Sequence, residues 1–192
     1  MTSLRNNGEP RDGYLDAARA CILDVGWRRT TLTEVARRAG VSRMTIYRAW
    51  SDMPTLLGDL MTREWGEVVA AQPPGEPTPD DLADVLLASV RALRDNELFV
   101  RIIELDPELL LPYLLARRGR SQEAIAALLE ARIAEGQAGG AVRSGNPTTL
   151  ARGLLLAAHG FVLSAQTMVD DTVTEADLDE ELRLLARRTL AP

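Results

Sequence analysis

Residues 31–50 read TLTEVARRAGVSRMTIYRAW, and this stretch decides the fold. It divides into two short helices around a tight turn. Thr31-x-x-Glu34 has the spacing of a capping box, in which a hydroxyl and a carboxylate satisfy orphan amides at a helix start. Gly40 stands where the chain must turn sharply, and glycine enters the left-handed region without steric cost. Ser42 is placed to cap the second helix. Ala36 before the turn and Ile46 after it let two helices cross closely. The pattern is a helix-turn-helix, whose second helix is shaped for the DNA major groove.

Charge points the same way. Residues 28–50 hold six arginines (28, 29, 37, 38, 43 and 48) against one acid, Glu34, a net charge of +5. The whole chain is −6, so the remaining residues carry −11. A basic island in an acidic chain is the footprint of a phosphate-binding face. If Ile46 points into the module, Arg43, Met44 and Tyr47 are exposed. A bare Met and Tyr beside arginines imply a covering partner. Arginine reads guanine through paired hydrogen bonds, while methionine or the Thr45 methyl suits a thymine methyl. Thr31, Thr33, Ser42 and Tyr47 offer hydroxyls, and Arg48 a charge, to phosphate oxygens.

Outward from this stretch every pattern is helical. Tyr14, Ala18, Cys21, Ile22 and Val25 form one stripe of a helix over about 11–25, closed by Gly26. Cys21 lies in that stripe, which makes it a core thiol. Trp27 falls at the joint to the helix pair, and Trp50 reads as core. Asp52 and Pro54 open a helix over about 53–71. The segment QPPGEPTPDD, 72–81, cannot continue it. Further stripes follow, among them Leu82, Val85, Leu86, Ser89, Val90 and Leu93. Residues 98–105, 108–117 and 121–135 continue the helical reading, and 136–147 is a loop on composition. Asn146-Pro147 caps a stripe of Leu150, Leu154, Ala157, Ala158, Phe161, Ala165 and Met168. Thr174-x-x-Asp177 opens a last helix with Leu178, Leu182 and Leu185 on one side. The expected fold is all-α, about nine helices. We divide it into a flexible arm (1–10), a helix-turn-helix domain (11–52), a connecting helix (53–72) and a helical domain (73–192).

Composition narrows the function classes. One cysteine and one histidine in 192 residues exclude an internal disulfide and make cysteine- or histidine-based metal sites unexpected. There is no glycine-rich phosphate loop, nucleophile motif or metal-ligand spacing, so no catalytic residue, metal or cofactor is expected. Glu104 and Asp106 are the acids with a chance of burial, but charges near helix ends are ordinarily solvated or capping. The amino terminus lacks the apolar core of a signal peptide, and the longest charge-free run, Gly153–Val169, is short of a bilayer span. These features imply a cytoplasmic protein without a membrane partner. Arg5 in the arm has two readings, a frayed end or a minor-groove contact.

The run TTLTEVARRAGVSRMTIYRAWSDMPTLL resembles the TetR family of transcriptional regulators. It matches that family's threonine before the first helix of the pair, E-x-A-x-x-A-G-V-S core, late aromatic and leucine-rich following helix. The remaining two-thirds agree only in being helical and of suitable length. The resemblance implies a homodimer on double-stranded palindromic operator DNA, paired through its last two helices and released by a small apolar or amphipathic effector. Leu154, Ala158, Phe161, Ala165, Leu178, Leu182 and Leu185 are the implied seam. Phe99, Ile102, Tyr113, His159, Phe161 and Met168 are the side chains suited to an effector cavity. His159 and Tyr113 each have a second reading, as core or interface residues, and for His159 that reading comes first. Two departures from the family pattern stand out: Met44 where a small residue is common, and Met53 where a phosphate-binding lysine is frequent. Two alternatives remain, a ligand-dependent activator and a small-molecule binder with a non-functional helix-turn-helix.

Overall fold

A computed structural model describes residues 8–71 and 75–192. Arg5 and residues 72–74 of the proline-rich segment lie outside them. The described residues form ten α-helices, two short 3-10 turns and no strand. The chain divides into two compact units. The first holds the chain up to Trp65 together with Asn96–Ser121, and the second holds Gly66–Asp95 together with Gln122–Pro192.

The first unit is built on α1 (Gly8–Val25), α2 (Leu32–Arg38), α3 (Arg43–Ala49) and the start of α4 (Met53–Ala70). α1 begins at Gly8, three residues earlier than expected. Ala18, Cys21 and Ile22 are buried as the stripe requires, with Leu15 and Ala17 beside them. Burial pushes the Cys21 thiol above its ordinary range, against the pull of the Arg38 charge. Leu32, Val35, Ala36, Ile46, Trp50, Leu56, Leu57 and Leu60 complete the core. Trp50 is 1% exposed, its indole N–H donates to Asp59 Oδ2 at 2.8 Å, and Tyr14 meets its ring edge-on. Burial pushes the Asp59 carboxyl up, but hydrogen bonds from Trp50, Arg11 and Arg120 outweigh it and hold it below its ordinary value.

The boundary read from composition differs from the one the fold draws. α6 (Glu97–Leu105) belongs to the first unit, because Leu98 and Ile102 sink fully into its core. The single helix expected over 108–117 is a 3-10 turn (Pro107–Leu109) followed by a five-residue α7 (Leu111–Leu115), interrupted where Pro112 withholds an amide.

The second unit packs α5 (Pro79–Arg94), α9 (Pro147–Ser164) and α10 (Glu175–Leu190) around Leu82, Leu86, Val90, Leu150, Leu154, Ala158, Leu182 and Leu190. α8 (Arg120–Ala138) contributes Ile133 and continues past the expected stop at 135. Gly136 is helical for a packing reason: a Cβ there would lie 2.3 Å from the Pro77 carbonyl oxygen and 2.6 Å from Val142 Cγ2. The inward face of α10 is Asp179, Leu182, Ala186 and Leu190, so of the row Leu178, Leu182 and Leu185 only Leu182 is buried. Asp179 takes an inward position because Arg91 and Arg94 of α5 each bind it at 2.5 Å. Asn146 accepts the Thr149 amide at 3.0 Å, and Thr174 and Asp177 form a full capping box.

Candidate nucleic-acid interface

The turn between α2 and α3 is fixed by backbone chemistry. Gly40 has φ +67°, and a Cβ there would meet nothing, so the dihedral alone asks for glycine. The Val41 amide donates to the Ala36 carbonyl at 3.0 Å and the Gly40 amide to the Arg37 carbonyl at 3.3 Å. These two bonds are a Schellman motif, which satisfies the last carbonyls of α2. Ser42 Oγ accepts the Thr45 amide at 3.2 Å and lies 2.9 Å from Thr45 Oγ1, so it caps α3. Thr31 Oγ1 likewise accepts the Glu34 amide at 3.2 Å.

Only half of the expected capping box at Thr31 forms. The Glu34 carboxylate binds Arg37 instead, at 3.1 and 2.5 Å. The guanidinium is a stronger donor than the amide the box would have offered, because the bond is charge-assisted at both ends. The Arg37 hydrogen bond holds the Glu34 carboxyl below its ordinary value.

That pairing changes the reading of the basic island. Arg38 pairs with Asp24, and Arg28 pairs with Glu108 and approaches Asp106 at 3.5 Å. Three of the six arginines are therefore neutralised by acids of the same unit. Arg29 donates to the Val25 carbonyl. Arg43 and Arg48 make no ion pair with any described residue, so the positive charge without an internal partner lies at the two ends of α3. The acids that remove three of the six come from α1, α2 and the 3-10 turn after α6.

α3 divides cleanly into two sides. Ile46 is fully buried. Met44 and Arg48 stand two residues before and after it, each about 200° around a helix, and so point most directly away from the core. Met44 is 62% exposed and Tyr47 48%. Arg43, Arg48, Ser42, Thr31 and Thr33 are exposed, and Thr45 is half-buried against Ser42. All eight residues read as DNA contacts thus lie on α2, α3 and their caps.

The joint behind this module was only partly legible. The Trp27 amide donates to Asp106 Oδ2 at 2.9 Å, and the Thr30 hydroxyl donates to the Gly26 carbonyl at 2.8 Å. Asp106 is 2% exposed, so it is neither solvated nor a simple helix cap. Gly26 has φ +84°, and a Cβ there would meet Leu105 at 3.1 Å. A buried acid at the end of α6 therefore holds the chain between α1 and α2.

The residues read as effector contacts do not gather within one unit. Phe99, Ile102 and Tyr113 belong to the first, and His159, Phe161 and Met168 to the second. Ile102 is a core residue, Phe99 meets Trp65 edge-on at 5.6 Å, and Arg117 lies 5.2 Å over the Tyr113 ring. Met168 is 64% exposed, because the stripe ends where α9 tightens into a 3-10 turn at Ala165. Burial holds the His159 imidazole below its ordinary value. A concavity of about 370 Å³ in the first unit is lined by Val25, Gly26, Arg28, Arg29, Arg101, Leu105 and Asp106, none of them an effector candidate.

Of the residues implied as a seam, Leu154, Ala158, Ala165 and Leu182 are buried within the protomer. Phe161 and Leu178 are half-buried, and Leu185 is 49% exposed. The largest bare apolar side chain on α9 is Leu156, 71% exposed and absent from the sequence reading. Pro147–Met168 is long and apolar enough to cross a membrane by length and composition, with mean hydropathy 1.2 and 28% of its window buried.

The family model described as bacterial regulatory proteins of the tetR family matches residues 15–60, from within α1 to within α4. The uncharacterized HTH-type transcriptional regulator Rv2250c of Mycobacterium tuberculosis is 35% identical over 183 residues, 95% of each chain. Among solved structures, the TetR-family transcriptional repressor QsdR of R. erythropolis superposes with TM-score 0.67 at 16% identity, covering 96% of this chain and 95% of its own. The flavonoid-responsive regulator FrrA gives 0.64 at 23%, covering 96% and 98%. The family match falls on the helices that carry the exposed α3 face, and the relationship to Rv2250c runs through almost the whole chain. This protein belongs to the TetR family and is a DNA-binding transcriptional regulator.

Proposed function

We propose that the protein is a cytoplasmic, homodimeric repressor that binds a palindromic operator through α3 and leaves it when a small apolar or amphipathic effector binds. The observation that carries the DNA-reading part is the placement of Arg43 and Arg48. These charges have no acidic partner among the described residues and flank the exposed Met44 and Tyr47. In the bound state α3 lies in the major groove, Arg43 reads a guanine edge, and the hydroxyls of Thr31, Thr33 and Tyr47 position the module on phosphates. A two-fold dimer would present its two recognition helices about 34–36 Å apart, one turn of DNA.

Dimer formation accounts for the bare apolar side of α9. Leu156 of α9 and Leu185 of α10 are the large exposed leucines of the last two helices, and Gly153 and Gly160 extend the Leu156 face at helical spacing. Glycines there permit close helix approach. We assign this surface to a second protomer rather than to lipid, because Arg152 stands on the exposed side of the same helix. Effector release draws support from FrrA, a regulator that responds to flavonoids, and repression from QsdR. In this chain the half-buried His159 and Phe161 of α9 are the proposed effector contacts.

Selection of duplexes from a random pool, followed by binding at low salt, tests the proposal. It predicts a palindromic consensus bound by two protomers. A monomer on DNA, or no enrichment of any sequence, would overturn it.

A further inference from the structure

The exposed side of α3 carries a large apolar group in its most outward position. Met44 is 62% exposed, although the neighbouring Ile46 shows that this short helix has a core side available. It sits between Arg43 and Arg48, two cations that make no ion pair with any described residue. A surface that is both apolar and cationic suits a partner combining negative charge with an apolar spot.

Major-groove chemistry narrows that spot to one group. Guanine, cytosine and adenine present hydrogen-bonding groups and at most a ring C–H there, and thymine alone adds a methyl. An unbranched thioether against a polar base edge would strip water from that edge and return no hydrogen bond. Against a methyl it gains burial on both sides. Methionine also has the rotational freedom to reach such a methyl from a helix held by phosphate contacts. Tyr47 is the competing candidate, but it shares its flank with Arg43 one turn away and carries a hydroxyl suited to phosphate.

We propose that Met44 is a specificity-determining residue that packs on the 5-methyl group of a thymine in each operator half-site. This rests on the assignment of α3 as the recognition helix.

The test is thymine-to-deoxyuridine scanning of a duplex selected by the full-length protein, which removes one methyl at a time and leaves every base pair intact. The wild type is expected to lose roughly fourfold in affinity at one position per half-site, the factor that corresponds to about 0.8 kcal/mol for one buried methyl group. Met44→Ala is expected to bind the thymine and uracil duplexes equally, and Met44→Leu to keep the discrimination. Both are substitutions at one exposed position, and a thermal melt equal to wild type confirms that each variant is folded. Equal discrimination by wild type and Met44→Ala overturns the assignment, as does wild-type indifference to every uracil or a half-site without thymine. In each of those cases sequence-specific binding survives and only the role of Met44 fails. Loss of all sequence-specific binding would remove the recognition helix itself, and Met44 with it.

Discussion

The α2–α3 module and the α5–α9–α10 bundle are built by the same physics and differ in what they leave outside. Each has an apolar core and hydroxyl-capped helices. The module spends its outward side on two cations without acidic partners, a methionine and a tyrosine. The bundle pairs its cations across helices, Arg91 and Arg94 with Asp179, Arg183 with Asp84, and Arg187 with Asp80. Its bare side chains include the large leucines Leu156 and Leu185. An unneutralised cationic face suits a polyanion, whereas a bare leucine face suits another protein surface.

The largest expected effect shows that the two interiors are alike. Ile46→Ala and Leu182→Ala should each cost about 2–5 kcal/mol in chemical denaturation, because both side chains are fully enclosed. A loss below about 1 kcal/mol for Ile46→Ala would mean that α3 is not anchored as described. The next effect separates the regions. Arg43→Ala should weaken selected DNA by about 1–3 kcal/mol at one base position and relax specificity there. Arg37→Ala, whose charge Glu34 already neutralises, should leave the base preference unchanged. Matching base-preference profiles for wild type and Arg43→Ala would sink the assignment.

Paired cap deletions sharpen the contrast at about 1 kcal/mol each. Thr31→Ala and Thr174→Ala both remove a hydroxyl that accepts a helix-opening amide. Their stability costs should be similar, but only Thr31→Ala should weaken DNA binding, and by the same factor on all sequences. The smallest effect belongs to the bundle. Burial holds the His159 pKa below its ordinary 6.5, so the unfolded chain takes up the proton first. Stability should therefore decline as pH falls through 6.5 and below, and His159→Gln should flatten that slope. A slope unchanged in the variant would show that His159 does not report burial.

The same contrast explains what could be read from the chain. The module was legible because its determinants are local: Gly40 asks for a left-handed turn, Ser42 for a cap, and Ile46 for a core side, all within seven residues. The apolar spacing of α1, α5 and α9 was legible for the same reason. Long-range facts were not. That Glu34, Asp24 and Glu108 withdraw three arginines from the basic island depends on which helices meet. That Asp106 is buried beneath Trp27 depends on α6 joining the first unit. In α10 leucine periodicity does not reveal that Asp179 occupies an inward position, held by arginines 85 and 88 residues away. The exposed Leu156 has no signature in an apolar helix, since periodicity alone does not say which apolar residue is left bare.

The central claim is that the cationic charge at the ends of α3 turns this module into a DNA reader. Binding of the full-length protein to its selected duplex and to a scrambled one, with and without Arg43→Ala and Arg48→Ala together, tests it at a fixed low salt concentration. The wild type should prefer the selected duplex by about 10³-fold or more, and the double variant should lose most of that ratio while melting like the wild type. A ratio that survives both substitutions would contradict the account.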